Sequence, residues 1–421
     1  MKRIMSNFIT LLKIIYLRTI FFCVKIKLLK LNGRVWSSVH LLFNKDKNNN
    51  LENVKKVAFI LHDSISFSHC LNVMLAMPRN SFDIILVDFK SIFMLRDLVS
   101  LFVHKNTKTS YKKFLEAKKE VLDELKREKN CKILKINEVL GRYVYSVVVC
   151  AHNGLECTGR IYSLKSDKYG IQFLGKHRSY FQFTIDIAFA TTEKRNMVFD
   201  SIFFSGNYSK FLCFNSLRDT NRLQLFSFGS PRFERKILHP ISFSDRKTIL
   251  WLPSHNQETS LNYFLKQMNF LGEYYRVIAK PHYWCFKENK DLKGRIACCQ
   301  NLELQENLDS HELITSADYV FCDYGGSVFT AIYYDKNILF LNAPKLKSFC
   351  FQNPEVLLRK EIINFDPYCT GDDILKALKD NTIWEKQKKI RQSIRERFFT
   401  ITKEPASQKI ASKLIEFLNE N

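Results

Sequence analysis

Short apolar runs recur along most of this chain, each bounded by polar or turn-forming residues. The segment NKDKNNNLENVKK at 44–56 is polar and Asn-rich and reads as a linker. The run VAFIL at 57–61 follows, then a polar loop, HDSISFSH at 62–69, then a helical pattern. That succession opens an α/β unit. FDIILVDF at 82–89 reads as a second buried strand. Residues 105–130 are highly charged, with Phe114, Leu115, Val121, Leu122 and Leu125 at helical spacing, which predicts a long surface helix. Further strands are predicted at 143–150 (YVYSVVVC), 169–174 (YGIQFL), 200–206 (DSIFFSG) and 223–229 (LQLFSFG). Strand and helix patterns alternate, so the sheet should be parallel and covered on both faces.

The stretch GSPRFERKILHPISFSDRK at 229–247 is turn-rich and poor in apolar runs, and then the rhythm restarts. TILWLPSH at 248–255 predicts a strand ending in a polar loop, 258–269 a helix and RVIAKPH at 276–282 a strand and loop. A helix at 311–316 leads into the strand DYVFCDY at 318–324, and NILFLNAP at 337–344 predicts another strand. Helices at 384–400 and 405–419 follow. At 421 residues the chain suits two domains better than one. The expected architecture is α/β, with two Rossmann-like doubly wound halves facing a cleft. Residues 1–45 form a separate segment, 46–235 the first half, and 236–421 the second half together with the last helices.

Composition narrows the partners. Lys and Arg total 65 against 42 Asp and Glu, a net charge of +23. This favours an anionic partner: nucleic acid, an anionic membrane surface or a polyanionic substrate. No aromatic-interleaved RNA motif is present, and a basic binding module would not explain two α/β halves, so no nucleic-acid partner is expected. The 12 cysteines include no Cys-x-x-Cys pair, which is the usage of a reducing compartment and not of a disulfide framework or zinc site. Residues 1–45 hold nine Lys or Arg and no acid, interrupting an apolar stretch. Too often charged to span a bilayer, the segment suits the anionic inner face of a membrane. Packing against the protein's own body is the plainer alternative.

In doubly wound folds, ligands bind beyond the carboxyl ends of the strands. In the second half those ends carry Ser254, His255 and Asn256; then Lys280, Pro281 and His282; then Asp323, Tyr324, Gly325, Gly326 and Ser327. Two glycines admit close approach of the backbone to a ligand, and Ser327 is placed to cap the next helix. Backbone N–H groups at that helix start suit a diphosphate. Lys280 and His282, arriving at the same edge, can neutralise phosphate oxygens. Singly, Gly-Gly-Ser is an ordinary tight turn and His282 a structural histidine. Together the three loops favour a site for an anionic ligand.

At these residues the chain resembles the CDP-glycerol glycerophosphotransferase family, the teichoic-acid-type polymerases and primases of GT-B fold. The resemblance lies in LPSH through Ser260, AKPH at 279–282 and SADYVFCDYGGSVFTAIYYDKNILFLN at 316–342. It extends to DSIFFSGNYSKFL at 200–212 and FGSPRFE at 228–234, and spans residues 165–345. It implies transfer of a polyol phosphate, of glycerol- or ribitol-phosphate type, from a CDP-activated donor to a hydroxyl of a membrane-linked glycan or polymer. The donor is a substrate and no cofactor is called for; no residue is assigned as a metal ligand, and a divalent metal is left open. By the same resemblance His282 and residues 325–327 contact the donor phosphates, and Arg232 holds the hinge or the donor. The family carries a Trp-His-Gly-like motif whose histidine is the base. Here Leu174 stands at that position, and His177, three residues on, is the candidate base, with loop 62–69 the other source. A GT-B glycosyltransferase using a nucleotide sugar would employ the same crevice. The Asp-x-Gly-Gly pattern at 323–326 is also similar to nucleotide-sugar 2-epimerases, but those continue with a Glu pair where Ser327, Val328, Phe329 and Thr330 stand here.

Overall fold

The computed structural model describes residues 51–61, 64–87, 107–139, 142–151, 174–182, 199–216, 223–234, 246–254, 259–282, 285, 291–306, 310–344 and 354–420. The basic segment 1–45 lies outside the described residues. Among those described, no helix is long and apolar enough to cross a membrane.

Two parallel sheets organise the chain. The first contains β1 (Glu52–Leu61), β2 (Phe82–Leu86), β3 (Ile133–Lys135), β4 (Tyr143–Cys150), β5 (Gly175–Phe181), β6 (Ser201–Phe204) and β7 (Gln224–Ser227), in the order β3-β2-β1-β4-β5-β6-β7. All pairings are parallel. The inner strands are apolar on both sides because both faces are covered. Helices α1 (Ser64–Ala76) and α2 (Thr107–Lys129) cover one face through Phe67, Met74, Phe114 and Leu122. The other face packs Ile136 and Val139 of α3 (Ile136–Val139) and Cys213 of α4 (Asn207–Ser216) against Val148, Tyr180 and Ile202.

The second sheet contains β8 (Thr248–Leu252), β9 (Arg276–Ala279), β10 (Leu302–Leu304), β11 (Tyr319–Cys322), β12 (Asn337–Leu341) and β13 (Asn364–Phe365), in the order β10-β9-β8-β11-β12-β13, again all parallel. On one face lie α5 (Leu265–Leu271), α6 (Leu292–Ala297) and α9 (Gly371–Lys379); on the other, α7 (Ser310–Ser316), α8 (Ser327–Tyr333) and α10 (Asn381–Phe398). Gln387 of α10 bonds both the N–H and the carbonyl of Ile338, and Arg391 pairs with Asp335, so α10 belongs to this sheet.

The next helix does not. In α11 (Ala406–Glu420), Ile410, Leu414 and Phe417 join the core of the first sheet, beside α1 and β4. The expected second half of 236–421 is therefore corrected: residues 406–420 complete the first half. The crossing segment is held tightly. Thr400 N–H donates to Ser205 O at 2.9 Å, Thr400 and Ser227 hydroxyls meet at 2.8 Å, and both Glu234 carboxylate oxygens accept from Ser407 N–H at 3.2 Å. Gly229 adopts φ +104°, with Thr400 O only 2.7 Å from where a Cβ would sit.

Of the strand expected at 169–174, only Leu174 falls among the described residues. Leu174 is a turn residue, and β5 begins one residue later. GKHRSYF conceals a strand because its charge is satisfied internally: the fully buried Arg178 guanidinium donates to both Asp200 carboxylate oxygens at 3.0 and 3.2 Å.

Candidate functional site

The order of the second sheet sets the geometry. β8 is flanked by β9 on one side and β11 on the other, so the chain order reverses between β8 and β11. Loops leaving the carboxyl ends of β9, β8 and β11 open side by side at this switch point, the place where doubly wound sheets hold ligands.

Those loops are bonded to one another. Lys280 N–H donates to Trp251 O at 2.8 Å and His282 N–H to Pro253 O at 2.9 Å, tying the β9 loop to the β8 loop. Cys285 reinforces the tie, with its thiol toward Ser254 O at 3.1 Å. On the other side, Ser254 N–H reaches both Asp323 oxygens, at 2.9 and 3.1 Å. Ser260 N–H donates to Asp323 Oδ2 at 2.8 Å, Tyr324 N–H to Oδ1 at 2.7 Å and the Thr259 hydroxyl to Oδ2 at 3.4 Å. The structure therefore brings Ser254, Lys280, His282 and residues 323–327 to one sheet edge.

Their exposure divides them. His282 and Gly326 are exposed, Lys280, Gly325 and Ser327 are half-buried, and Ser254 is buried. Lys280 Nζ donates to Glu306 O at 3.2 Å. Gly325 holds φ +103° with open space where a Cβ would be, so its backbone needs glycine while leaving room above it. Gly326, at φ −66°, is the N-cap of α8 and Ser327 is its first helical residue, so the expected capping by Ser327 is corrected. Among the described residues, no acceptor is paired with the backbone N–H groups of Gly325, Gly326 or Ser327.

Asp323, expected among the phosphate-binding residues, is held by the loops themselves. Its side chain is fully buried and its oxygens are occupied by backbone donors from its own loops. Burial pushes its carboxyl above the ordinary range, while the bonds from Ser260, Tyr324 and Ser254 pull it back. The neighbouring Cys322 thiol is pushed up by burial and then by the Asp323 charge, which leaves it a poor nucleophile.

Two candidates lie elsewhere. His177 sits inside β5 and not at a strand end. Its ring stacks on Phe417 of α11 at 3.9 Å, and its Nε2 meets the Ser201 hydroxyl at 3.0 Å. Only 7% exposed, it is enclosed in the layer between sheet and helix and is not presented at the sheet edge. The alternative loop 62–69 is helical from Ser64, with His69 buried in α1; His62 lies outside the described residues. Arg232 stands in the 3-10 turn Pro231–Glu234, whose Pro231 O accepts from Asn72 Nδ2 at 2.7 Å and whose Phe233 stacks on His311 and Tyr333. That turn therefore touches elements of both sheets. Thr259 had no expected role. The signal was a Thr-Ser pair preceding an apolar helical pattern, a capping arrangement, and Thr259 does cap the turn Ser260–Asn262. Among the described residues, no group of three His, Cys, Asp or Glu side chains is placed to hold a metal ion.

No protein-family model and no curated protein matches the chain. Solved structures do share its fold. The wall teichoic acid polymerase TagF, soaked with CDPG, superposes with a TM-score of 0.55 at 13% identity, covering 96% of this chain and 98% of that one. A Listeria monocytogenes protein described as a UDP-N-acetylglucosamine 2-epimerase gives 0.57 at 12% identity over 87% and 97%. S. aureus MnaA bound to UDP gives 0.52 at 12% identity over the same shares. The fold is thus GT-B-like, with the paired α/β sheets expected from the sequence.

Proposed function

We propose that this GT-B-like chain is a transferase that moves a polyol phosphate, of glycerol- or ribitol-phosphate type, from a CDP-activated donor to a hydroxyl of a membrane-linked glycan or polymer. The observation that carries this reading is the set of three mutually bonded loops at the switch point of the second sheet. Lys280 and His282 leave β9 at the same sheet edge as the glycine turn after β11, with the β8 loop between them, and the N–H groups of that turn have no acceptor among the described residues. That combination suits a diphosphate: N–H donors surround its oxygens while Lys280 offsets its charge. TagF, which shares the fold, was soaked with CDPG, and MnaA was solved with UDP.

In this mechanism the acceptor hydroxyl attacks the donor's distal phosphorus and the nucleotide departs with the negative charge. Lys280, His282 and the N–H groups of Gly325 to Ser327 stabilise that charge as it develops. With His177 enclosed beneath α11, the acceptor's proton leaves to a group other than His177, or to water. Residues 1–45 supply the attachment to the anionic cytoplasmic face of the membrane, where a lipid-linked acceptor is held.

The test is incubation of the protein with labelled CDP-glycerol, CDP-ribitol and a panel of UDP-sugars, together with membrane fractions as acceptor. Label incorporated from a CDP-polyol supports the proposal. Incorporation only from a UDP-sugar selects the second reading, a GT-B glycosyltransferase, which the shared fold with UDP-bound MnaA favours. Absence of turnover and of nucleotide binding would overturn both.

A further inference from the structure

We propose that Asp323 is a positioning residue of the donor site: it never touches the donor, and its carboxylate holds the three phosphate-facing loops in register. The inference deepens the donor-site reading and rests on it. Four donors drawn from separate parts of the chain converge on this one carboxylate: Ser254 N–H after β8, Thr259 Oγ1 and Ser260 N–H at the next turn, and Tyr324 N–H after β11. Ser254 and His282 are themselves linked through the Pro253 carbonyl and Cys285, so the β9 loop depends on the same anchor at one remove.

The anchor also shapes the glycine turn. Tyr324 N–H points inward to Asp323, and the next residue, Gly325, takes φ +103°. The chain thus turns away from the carboxylate directly after being held by it. The N–H groups of Gly325, Gly326 and Ser327 follow this turn, and none meets an acceptor among the described residues. A fully buried carboxylate is costly unless it is saturated with donors, and here the saturating donors are the backbone of the site. An anionic donor could not displace them, since a second negative charge would be repelled by the first.

Asparagine at 323 tests the inference, because it keeps the shape but turns one acceptor into an N–H₂ facing backbone donors. CDP and UDP serve as probes, with affinity read by calorimetry. Wild-type protein should bind at least one of them. Asp323→Asn should bind it roughly 10- to 100-fold more weakly, the range for losing charge-assisted hydrogen bonds. Hydrogen exchange at Ser254, Ser260 and Tyr324 should quicken while the strand amides of β8 and β11 stay protected. Gln387→Ala, which breaks buried bonds to Ile338 on β12, is the stability control and should retain wild-type affinity despite a lower melting point. Equal affinity in Asp323→Asn, or equal losses in both variants, overturns the positioning role alone. Wild-type protein that binds neither nucleotide overturns the donor reading, and the positioning role with it. Should Asp323→Asn not fold, Thr259→Val removes the longest contact to the carboxylate together with the Thr259 cap on Leu261 N–H. A several-fold loss of affinity there supports the inference, and unchanged affinity overturns it.

Discussion

Gly206→Ala probes the joint between the two sheets. A Cβ at this position would lie 2.0 Å from the Phe398 carbonyl oxygen, 2.4 Å from its carbon and 2.8 Å from Phe399 N. All three are backbone atoms, so no change of rotamer relieves the overlap, and residues 398–400 must move off the end of β6. That movement stretches the Thr400–Ser205 bond of 2.9 Å and the Thr400–Ser227 hydroxyl contact of 2.8 Å. Overpacking a filled site costs about 1–3 kcal/mol, and each net hydrogen bond contributes about 0.5–1.5 kcal/mol. The expected destabilisation is therefore about 2–6 kcal/mol. Gly294→Ala is the matched control. It lies inside α6, where the nearest atom to a new Cβ is Asp291 Oδ1 at 3.4 Å, and helix propensity favours alanine by up to ~1 kcal/mol. Because a chain with two sheets need not unfold in two states, the comparison is made on unfolding midpoints in urea. Proteolysis within residues 399–405 should also quicken in Gly206→Ala. A Gly206→Ala protein with the wild-type midpoint and wild-type protease resistance would refute the reasoning.

Other substitutions reach other parts of the molecule. His282→Ala should lower turnover of the nucleotide donor by about 10²–10³-fold, as for loss of one donor to developing charge; steady-state kinetics near wild type would remove His282 from the site. Phe417→Ala deletes a ring only 1% exposed that stacks on His177. It should cost about 3–5 kcal/mol and raise hydrogen exchange in β4 and β5 before β8 and β11; uniform exchange across both sheets would contradict this. Asp380 caps α10 by accepting from the Thr382 N–H and hydroxyl, which hold its carboxyl below the usual range. A depressed folded-state value means that its stabilisation is complete above the ordinary carboxylate range and is lost as pH falls through the lowered value. Asp380→Asn should accordingly show a smaller loss of melting temperature on acidification than wild type, and parallel curves would dismiss the cap.

How legible this fold was depended on whether the signal was local. YVYSVVVC reads directly as a strand and is β4 at the same limits, because a strand buried on both faces is written in apolar residues. GKHRSYF does not, because the residue that neutralises Arg178, Asp200, stands 22 positions away. The loops of the candidate site were legible from topology alone: each follows a parallel strand, so each opens on the same edge. The role of Asp323 was not, since an acid beside two glycines looks the same in sequence whether it faces a ligand or the backbone beneath. The home of α11 was equally hidden. Its apolar stripe of Ile410, Leu414 and Phe417 would fit either sheet, and only the path of residues 399–405 decides between them.

That path has a consequence for the order of biosynthesis. Among the described residues the first sheet has its seven strands once residue 227 is made, yet its core is closed by residues 406–420. The interval from 227 to 420 is 420 − 227 = 193 residues, or about 10–40 s at ordinary ribosomal rates of about 5–20 residues per second. Throughout that wait the bare surface between α1 and β4 faces the translation machinery's surroundings, an opening for chaperones. The second sheet, whose covering helices all lie between β8 and the end of α10, has no such delay. A released chain truncated after residue 400 should therefore present a finished second sheet beside an unsealed first one.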